Sequence, residues 1–439
     1  MKDFNIAILG CGTVGGGVAK ILLEMNDELC NRIGRKIVLK KIVELFPKKA
    51  SEKFNIPLDF FCGNGNDLSL NQAMEFIEKI NEDKEIDLVI ETIGGSNDNI
   101  LKIVLEILKS KKHLVTANKA LLAEKENIIF NTAMENNVAI GFEAAVCGAI
   151  PIIKTIKESF TGDEILSFSG IMNGTSNYIL SMMQNESISF KEALKLAQKK
   201  GYAEADPTLD INGSDAGHKL IITTKLAFGI DLSLKQLSII GIENINQHDL
   251  DFAREMECRI KLICLAKKID KKIYATVCPM MVKNNNFLSK VDGATNAIRI
   301  VNKYSGEHLL LGKGAGSLET ASSIVADIVF IAKYSNKIVN YSKNSDYEFF
   351  DAKYFIFPYN IIFETEDIPG ITGIITTAIG NHKINIDTVG HNRHNKNRAI
   401  FSIATMPCSL NDINNAINEI RIKRPNILLI GPKIIPILY

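Results

Sequence analysis

Through its first third the chain alternates apolar runs of strand length with stretches of helical periodicity. Lys2–Leu9 is an apolar strand, Gly15–Leu29 repeats apolar residues at helical spacing, and Lys36–Leu45 reads as a second strand. Ile86–Glu91 and His113–Thr116 are short buried strands with a helical pattern at Asn99–Lys109 between them, and Val138–Phe142 is a further strand. Strands of continuous apolar character separated by helices predict an α/β fold with a doubly wound, mainly parallel sheet. The middle stretch, about 141–313, is less regular and reads as an α+β domain. A helix is expected from Leu318 to about Lys333, packing back onto the first domain so that a returning segment, about 314–340, completes 1–140. A polar run, Ser335–Asp351, reads as a linker. Beyond it come a strand at Tyr354–Glu364, a helix at Gly370–Gly380, strands at Ile384–Val389 and Arg398–Thr405, a helix at Leu410–Ile420 and a strand at Asn426–Ile430. That order predicts a small ferredoxin-like unit over 352–439.

Composition narrows the class without changing this picture. A chain of 439 residues is too long for one ordinary core, which suits two or three domains. The formal net charge of +1 gives no support to nucleic-acid binding. No stretch reaches the roughly 18 apolar residues of a membrane span, and the start Met1–Gly10 has no export signal. The eight cysteines are scattered with no C-x-x-C pair, which points to neither a zinc site nor a disulfide framework and suits the cytoplasm.

The first chemistry sits at Gly10-Cys11-Gly12-Thr13-Val14-Gly15, which follows a strand and opens a helix. Gly10 permits a tight turn, Gly12 lets the backbone approach a pyrophosphate, and Gly15 lets helix and strand pack closely, with the helix N-terminus facing the negative charge. This predicts a nicotinamide dinucleotide site. Glu44, at the end of the second strand, suits a ribose 2′-hydroxyl, whereas Lys48 and Lys49 just after it suit a 2′-phosphate, so NAD and NADP both stand. Thr92, Ile93 and Gly94 follow one short strand and Thr116, Asn118 and Lys119 another, at the strand ends where ligands bind in such sheets.

A second constellation lies further on. Gly170–Tyr178 (GIMNGTSNY) is rich in hydrogen-bonding side chains, and Gly201–Pro207 (GYAEADP) leads to Asp210 and then to Asp215–Leu220 (DAGHKL). Asp215 and Lys219 stand four apart, which puts acid and base on one helix face in the favourable order. A lysine held by a carboxylate can act as a general acid toward a developing alkoxide; the plainer reading is a surface ion pair worth under about 1 kcal/mol. His218 is adjacent to Lys219 but points elsewhere on a helix. Cys147, in a glycine-rich turn, admits a nucleophile reading, as in aldehyde-oxidising enzymes, beside the commoner one of a small buried residue.

At these residues the chain resembles the homoserine dehydrogenases. The resemblance runs through the glycine loop, Ile90–Gly95 (IETIGG), Thr116–Ala123 (TANKALLA), Glu143–Pro151 (EAAVCGAIP), GIMNGTSNYIL, GYAEADPT, the D-A-x-x-K helix and Gly312–Gly316 (GKGAG), over nearly the first three-quarters of the chain. It implies NAD(P)H-dependent, reversible reduction of L-aspartate 4-semialdehyde to L-homoserine, on the way to threonine, methionine and isoleucine. By motif, Lys219 would protonate the aldehyde oxygen and Asp215 would hold Lys219 or position a water. Lys119 would lie between cofactor and substrate. Glu204, Asp210, Tyr202, Asn173, Gly174 and Thr175 would bind the substrate, Glu204 through its ammonium. Gly314 and Gly316 would form a second glycine turn near the nicotinamide. Backbone carbonyls of Glu143, Val146, Gly148 and Ile150 would hold a structural monovalent cation, Na+ or K+. The middle segment would carry dimerisation, and the assembly would be a homo-oligomer, a dimer or tetramer. A non-catalytic sensor of dinucleotide and amino acid is the competing class, and it has no need of a proton donor at Lys219.

The C-terminal stretch Phe363–Ile374 (FETEDIPGITGI), with Asn381–Asp387 (NHKINID), resembles an ACT domain. It implies allosteric control, with L-threonine as the end-product ligand, or oligomerisation alone. The polar, basic segment Gly390–Asn397 departs from that pattern.

Overall fold

The computed structural model describes residues 2–334, 346–390, 393–395 and 398–439. The chain forms two compact units. The first comprises Met1–Glu164, Ile221–Ser233 and Leu310–Asn344; the second comprises Ile165–Leu220, Leu234–Leu309 and Ser345–Tyr439. The sequence pattern divides the chain near 140, 313 and 352. The packing instead keeps residues up to Glu164 with the first unit and groups the C-terminal stretch with the middle one.

In the first unit, strands β1 (Phe4–Leu9), β2 (Ile37–Val43), β3 (Leu88–Glu91), β4 (His113–Thr116) and β5 (Ile140–Gly141) form one sheet in the order β2-β1-β3-β4-β5. Every pairing is parallel, as the strand–helix alternation requires. The crossovers include helices α1 (Thr13–Glu24), α2 (Asp98–Lys109) and α3 (Lys119–Glu135). The expected single helix over Gly15–Leu29 is two: it stops at Met25 and resumes as Asn26–Ile33. The expected strand Val138–Phe142 shortens to Ile140–Gly141, because Glu143 already begins a 3-10 turn.

The returning helix Ser317–Tyr334 lies in this unit and completes its core. Ala321, Ile324, Val325, Ile328, Ile331 and Ala332 join Val18, Ala19 and Leu22 of α1 in one apolar cluster. Ser317 Oγ donates to Thr13 O, and a Cβ at Gly17 would stand 2.9 Å from Ser317 O, so the glycine admits this close approach.

The second unit is built on a long antiparallel hairpin, β7 (Cys258–Ile269) and β8 (Lys272–Lys283), flanked by β6 (Ile165–Ile171), β9 (Thr295–Asn302) and the edge strand β10 (Gly306–Lys313, through Leu309). Three of its helices matter to the site: α4 (Gly174–Glu186), α5 (Ser214–Phe228, through Leu220) and α6 (Gln247–Glu255). The C-terminal stretch supplies β11 (Tyr359–Glu366), α7 (Ile371–Asn381), β12 (Ile386–Val389), β13 (Arg398–Thr405), α8 (Leu410–Lys423) and β14 (Leu428–Leu438). These strands pair antiparallel in the order β14-β11-β13-β12. The two helices cover one face through Ile371, Ile375, Ile379, Ile413, Ile417 and Ile420.

Two features of this stretch escape the sequence pattern. The first strand begins at Tyr359, not Tyr354, because Ala352–Tyr354 form a 3-10 turn. The last strand runs to Leu438, past Pro432 and Pro436, and its end pairs parallel with β8 at Ile437↔Met281 and Leu438↔Val282. One strand is thus shared by the two halves of the sheet. Lys433 also bonds buried Asp249 on α6 at 2.5 Å. Most of the linker Ser335–Asp351 lies outside the described residues, as does half of Gly390–Asn397, of which the backbone of Arg393–Asn395 pairs with β13. Among the described residues, no helix is long and apolar enough to cross a membrane.

His113 shows how tightly the first sheet is packed. Its Nδ1 accepts the Ala139 N–H at 2.9 Å, and its ring stacks on Phe4. Burial pushes its pKa down to about 4. An imidazole held neutral in the folded state contributes stability above its unfolded pKa and loses it as the pH falls. The contribution of His113 to the unfolding free energy is therefore expected to fall by about 3 kcal/mol between roughly pH 6.5 and pH 4. Denaturant titrations of the protein and of His113→Gln across that range check this, since the variant should lose much of the slope.

Candidate active site

The dinucleotide end of the first unit is shaped by crowding at two glycines and room at a third. Gly10 has φ +87°, and a Cβ there would stand 2.9 Å from Thr92 O. A Cβ at Gly15 would fall 2.0 Å from Gly10 O. At Gly12 a Cβ would meet nothing within 4 Å, so nothing in the protein's own packing requires glycine there. Open backbone at the start of α1, beside Thr13 and Val14, suits a pyrophosphate. Glu44 accepts the Cys11 N–H at 2.6 Å and the Phe46 N–H at 3.1 Å, so its carboxylate braces the loop whatever it offers a ribose. That carboxylate and burial together push the Cys11 thiol up to about 12, with burial the larger cause. Lys48 and Lys49 are exposed on the next helix.

The neighbouring strand ends are organised by a residue that the sequence reading quoted but gave no role, Glu91. It is fully buried. Its Oε1 accepts the N–H groups of Ile93 and Gly94 at 2.8 and 2.9 Å, and its Oε2 accepts Thr116 Oγ1–H at 2.6 Å. Thr116 Oγ1 in turn accepts the Asn118 N–H, and Asn118 Nδ2 donates to Gly95 O at 2.6 Å. Asn118 Oδ1 caps α3 through the Leu121 N–H, which sets Lys119 as the first residue of that helix. Thr92 Oγ1 donates to Gly10 O at 2.7 Å and so fastens the glycine loop to β3. One carboxylate thus joins the Ile93–Gly94 and Thr116–Lys119 segments. A buried acid at the end of an apolar strand, followed by glycines, is the signal that could have revealed it. Gly316, in the second glycine turn, has φ +144°, and Gly314 O lies 2.6 Å from where a Gly148 Cβ would stand.

The Glu143–Ile150 loop is buried apart from Ala149. The Glu143 carboxylate accepts the N–H groups of Ile153 and Lys154, and burial, with Asp327 nearby, raises its pKa to about 7. With that side chain engaged, carbonyls are what the loop can offer a cation. Those of Glu143, Gly148 and Ile150 already accept one hydrogen bond each, from Val146 N, Ser323 Oγ and Ile152 N. Each keeps a second lone pair. Cys147 is fully buried with φ +54°. Such burial favours the reading of a small packed residue over that of a nucleophile.

In the second unit the sequence-singled residues converge. Lys219 and Asp215, one turn apart on α5, are 8% and 7% exposed, which removes the surface-pair reading. Lys219 Nζ donates to Asp215 Oδ2 at 2.7 Å and to Met172 O at 2.8 Å. Asn173 Nδ2 donates to the same Asp215 oxygen at 2.8 Å and to Asp210 Oδ1 at 2.7 Å, while Asn173 Oδ1 caps α4. Burial raises the Asp210 pKa, with the Asn173 hydrogen bond opposing it and Asp215 adding to it. Ser176 Oγ donates to Asp210 O, and Thr175 Oγ1 donates to Tyr202 O. Gly174 begins α4 where a Cβ would press on Ala294 O at 2.7 Å. Tyr202 is 45% exposed with its ring 4.9 Å from that of Tyr178, and Glu204 is exposed beside it. His218 is buried.

A parallel sheet with a glycine loop at its nucleotide-binding edge, together with a buried lysine held by a carboxylate, defines a nicotinamide-dependent oxidoreductase acting on a CH–OH group. The family model for homoserine dehydrogenase matches residues 151–329, and that for the homoserine dehydrogenase NAD binding domain matches 10–143. A homoserine dehydrogenase of Helicobacter pylori is 45% identical over 77% of this chain and 76% of its own length; one of Neisseria gonorrhoeae is 42% identical over 76% and 73%. The crystal structure of a homoserine dehydrogenase from Thiobacillus denitrificans superposes with a TM-score of 0.90 at 32% identity, covering 100% of this chain and 98% of that one. A hyperthermophilic archaeal homoserine dehydrogenase in complex with NADPH has a TM-score of 0.63 at 26% identity, covering 77% of this chain and 99% of its own. The chain belongs to the homoserine dehydrogenase family.

The Glu91 network carries a direct test. Glu91→Gln puts a donor where an acceptor is needed and leaves buried groups unpaired, at a cost of about 1–3 kcal/mol. Dinucleotide affinity, measured by calorimetry, is expected to weaken roughly tenfold or more. Unchanged affinity would show that the strand-end segments hold their shape without that carboxylate.

Proposed function

We propose that this chain catalyses the reversible, NAD(P)H-dependent reduction of L-aspartate 4-semialdehyde to L-homoserine, with Lys219 as the general acid, in the cytoplasm and on the route to threonine, methionine and isoleucine. The observation that carries the reading is the buried chain of hydrogen bonds from Asp210 through Asn173 to Asp215 and Lys219. A bound nicotinamide supplies the hydride. The alkoxide developing on the aldehyde oxygen would take its proton from the Lys219 ammonium, and the base so formed would be reprotonated from solvent. Asp215 and Met172 O orient the ammonium. Asp210 and Glu204 suit the substrate ammonium, and the start of α4 at Gly174 and Thr175, with Tyr202, suits its carboxylate. Lys119, at the head of α3, supplies a second cation.

The glycine loop with Glu44, Thr92, Ile93, Gly94, Thr116, Asn118, Gly314 and Gly316 fits a dinucleotide. Glu44 favours NAD, while Lys48 and Lys49 keep NADP open. The carbonyls of Glu143, Val146, Gly148 and Ile150 fit a structural Na+ or K+ ion. Exposed Leu309 and Leu311 on edge strand β10 support self-association as a dimer or tetramer.

Residues 352–439 are proposed as an ACT regulatory module. Their strand–helix–strand–strand–helix–strand order and all-antiparallel β14-β11-β13-β12 sheet support a ferredoxin-like unit. The two homoserine dehydrogenase family models match 10–143 and 151–329 and stop short of this stretch, which supports a role for it beyond catalysis itself. L-Threonine, as end product, is the proposed effector, and it must bind two global states differently.

Steady-state rates with aspartate 4-semialdehyde, taken with NADH and with NADPH, test the activity. Lys219→Ala is expected to lower kcat by at least about a hundredfold while dinucleotide binding persists. Near-normal turnover in that variant would remove Lys219 from the chemistry. In a separate measurement, added L-threonine is expected to depress the rate, and rates equal with and without it would reject the feedback role.

A further inference from the structure

The polar residues Asn173, Asn177, Ser181 and Asn185 recur every fourth position, so they form a single stripe along α4. The first of them caps the helix and reaches Asp210 and Asp215. The other three are bound elsewhere, to the segment 291–295 and to two cations on β7. Asn177 Nδ2 donates to Val291 O at 3.0 Å, Gly293 O at 2.9 Å and Thr295 O at 3.2 Å. Ser181 Oγ bonds Asp292 Oδ1 and accepts the Gly293 N–H. Asn185 bonds Asp292 and Arg259.

At the centre of this arrangement stands Lys261, a lysine with no exposed surface. Its Nζ donates to Val291 O at 2.6 Å, to Asp292 Oδ1 at 3.0 Å and to Asn177 Oδ1 at 3.2 Å. All three of its protons are used. An ammonium is costly to bury unless it is paired and fully hydrogen-bonded. Burial does lower its pKa, to about 8, with Asp292 opposing the fall. The β6–β7 register explains why this residue matters to the site. Gly170 pairs with Cys264, and the same register carried three residues further brings Lys261 level with Asn173. The segment it grips also carries Ala294, whose carbonyl would lie 2.7 Å from a Cβ on Gly174. The first turn of α4 is therefore held between that segment and β7.

We propose that Lys261 is a positioning residue for the reaction: by clamping the 291–295 segment onto α4, it fixes the Asn173 amide and, through it, the Asp215 carboxylate that holds Lys219. The inference rests on Lys219 as the general acid. Lys261 touches no reacting atom; it acts through the stripe. A displacement of the Asn173 cap loosens the grip of Asp215 on the Lys219 ammonium. Asp215, bonded to Lys219, and Asp210, joined through Asn173, are carboxylates that favour its ammonium form. A weaker hold by Asp215 makes the ammonium more acidic. In the reduction direction activity needs that ammonium, so the alkaline fall in kcat moves to lower pH.

The test compares the full-length protein with Lys261→Met and Asp292→Asn. Lys261→Met removes the charge and keeps the stem. Asp292→Asn acts at a partly exposed position, keeps a side-chain oxygen beside Lys261 and weakens the ion pair. Thermal unfolding and dinucleotide affinity report whether each variant is intact. Lys261→Met is expected to lower kcat about ten- to a hundredfold. KM should change much less, and the alkaline limb should shift to lower pH. Asp292→Asn is expected to shift the limb the same way by a smaller amount. If both variants keep the wild-type limb, the proposal is overturned, even where kcat falls, because a purely structural lysine would lower the rate without moving the limb. If Lys261→Met does not fold, the Asp292→Asn limb decides alone. Failure of the underlying reading looks different: Lys219→Ala would then retain turnover, whatever the clamp variants do.

Discussion

An ammonium taken out of water must be given partners, and the partners of Lys219 determine much of what surrounds it. Asp215 and Met172 O accept two of its protons, and Asn173 bonds the Asp215 oxygen from the other side. The sequence spacing of four on α5 makes the ion pair a local event. The remaining contacts are not local. Met172 reaches the lysine and Asn173 its carboxylate partner only because β6 ends at Ile171 and α4 begins at Gly174, so the strand-to-helix turn delivers a carbonyl and an amide to one ion pair. Asn173 also caps the helix, which ties the orientation of the amide to the stability of α4.

The first unit meets a different constraint. A dinucleotide loop needs backbone N–H groups left open at a helix start, and an open loop is easily deformed. The chain offsets this by bracing the loop from behind. Thr92 holds Gly10 O, Glu44 holds the Cys11 N–H, and Gly15 and Gly17 allow α1 to press on β3 and on the returning helix. Glu91 does the same for the next strand ends. Carboxylates that take no part in the proton transfer thus hold the segments that have to be presented.

Much of this was legible in the sequence, for physical reasons that can be named. The doubly wound sheet was readable because its strands are continuously apolar and its helices periodic. The glycine loop was readable because a tight turn and a close approach each admit only glycine at Gly10 and Gly15. Asp215 and Lys219 were readable from helical spacing. What stayed hidden depends on long-range contact. Glu91 looks like any strand-end acid until Thr116 and the Ile93 and Gly94 amides meet it. Lys261 sits inside an apolar strand pattern, and nothing near it in sequence announces Asn177 or Val291. The extension of β14 through two prolines rests on strands far away in sequence. The bonding of the C-terminal strand both to β11 and to β8 was likewise hidden.

The central claim is that the Lys219 ammonium donates the proton as the aldehyde is reduced. The pH dependence of kcat for aspartate 4-semialdehyde reduction, in the wild type and in Lys219→Ala with saturating dinucleotide, tests it most directly. The account predicts an alkaline fall in the wild type, and in the variant a small residual rate that lacks that fall. A variant that keeps both substantial turnover and the same alkaline fall would contradict it.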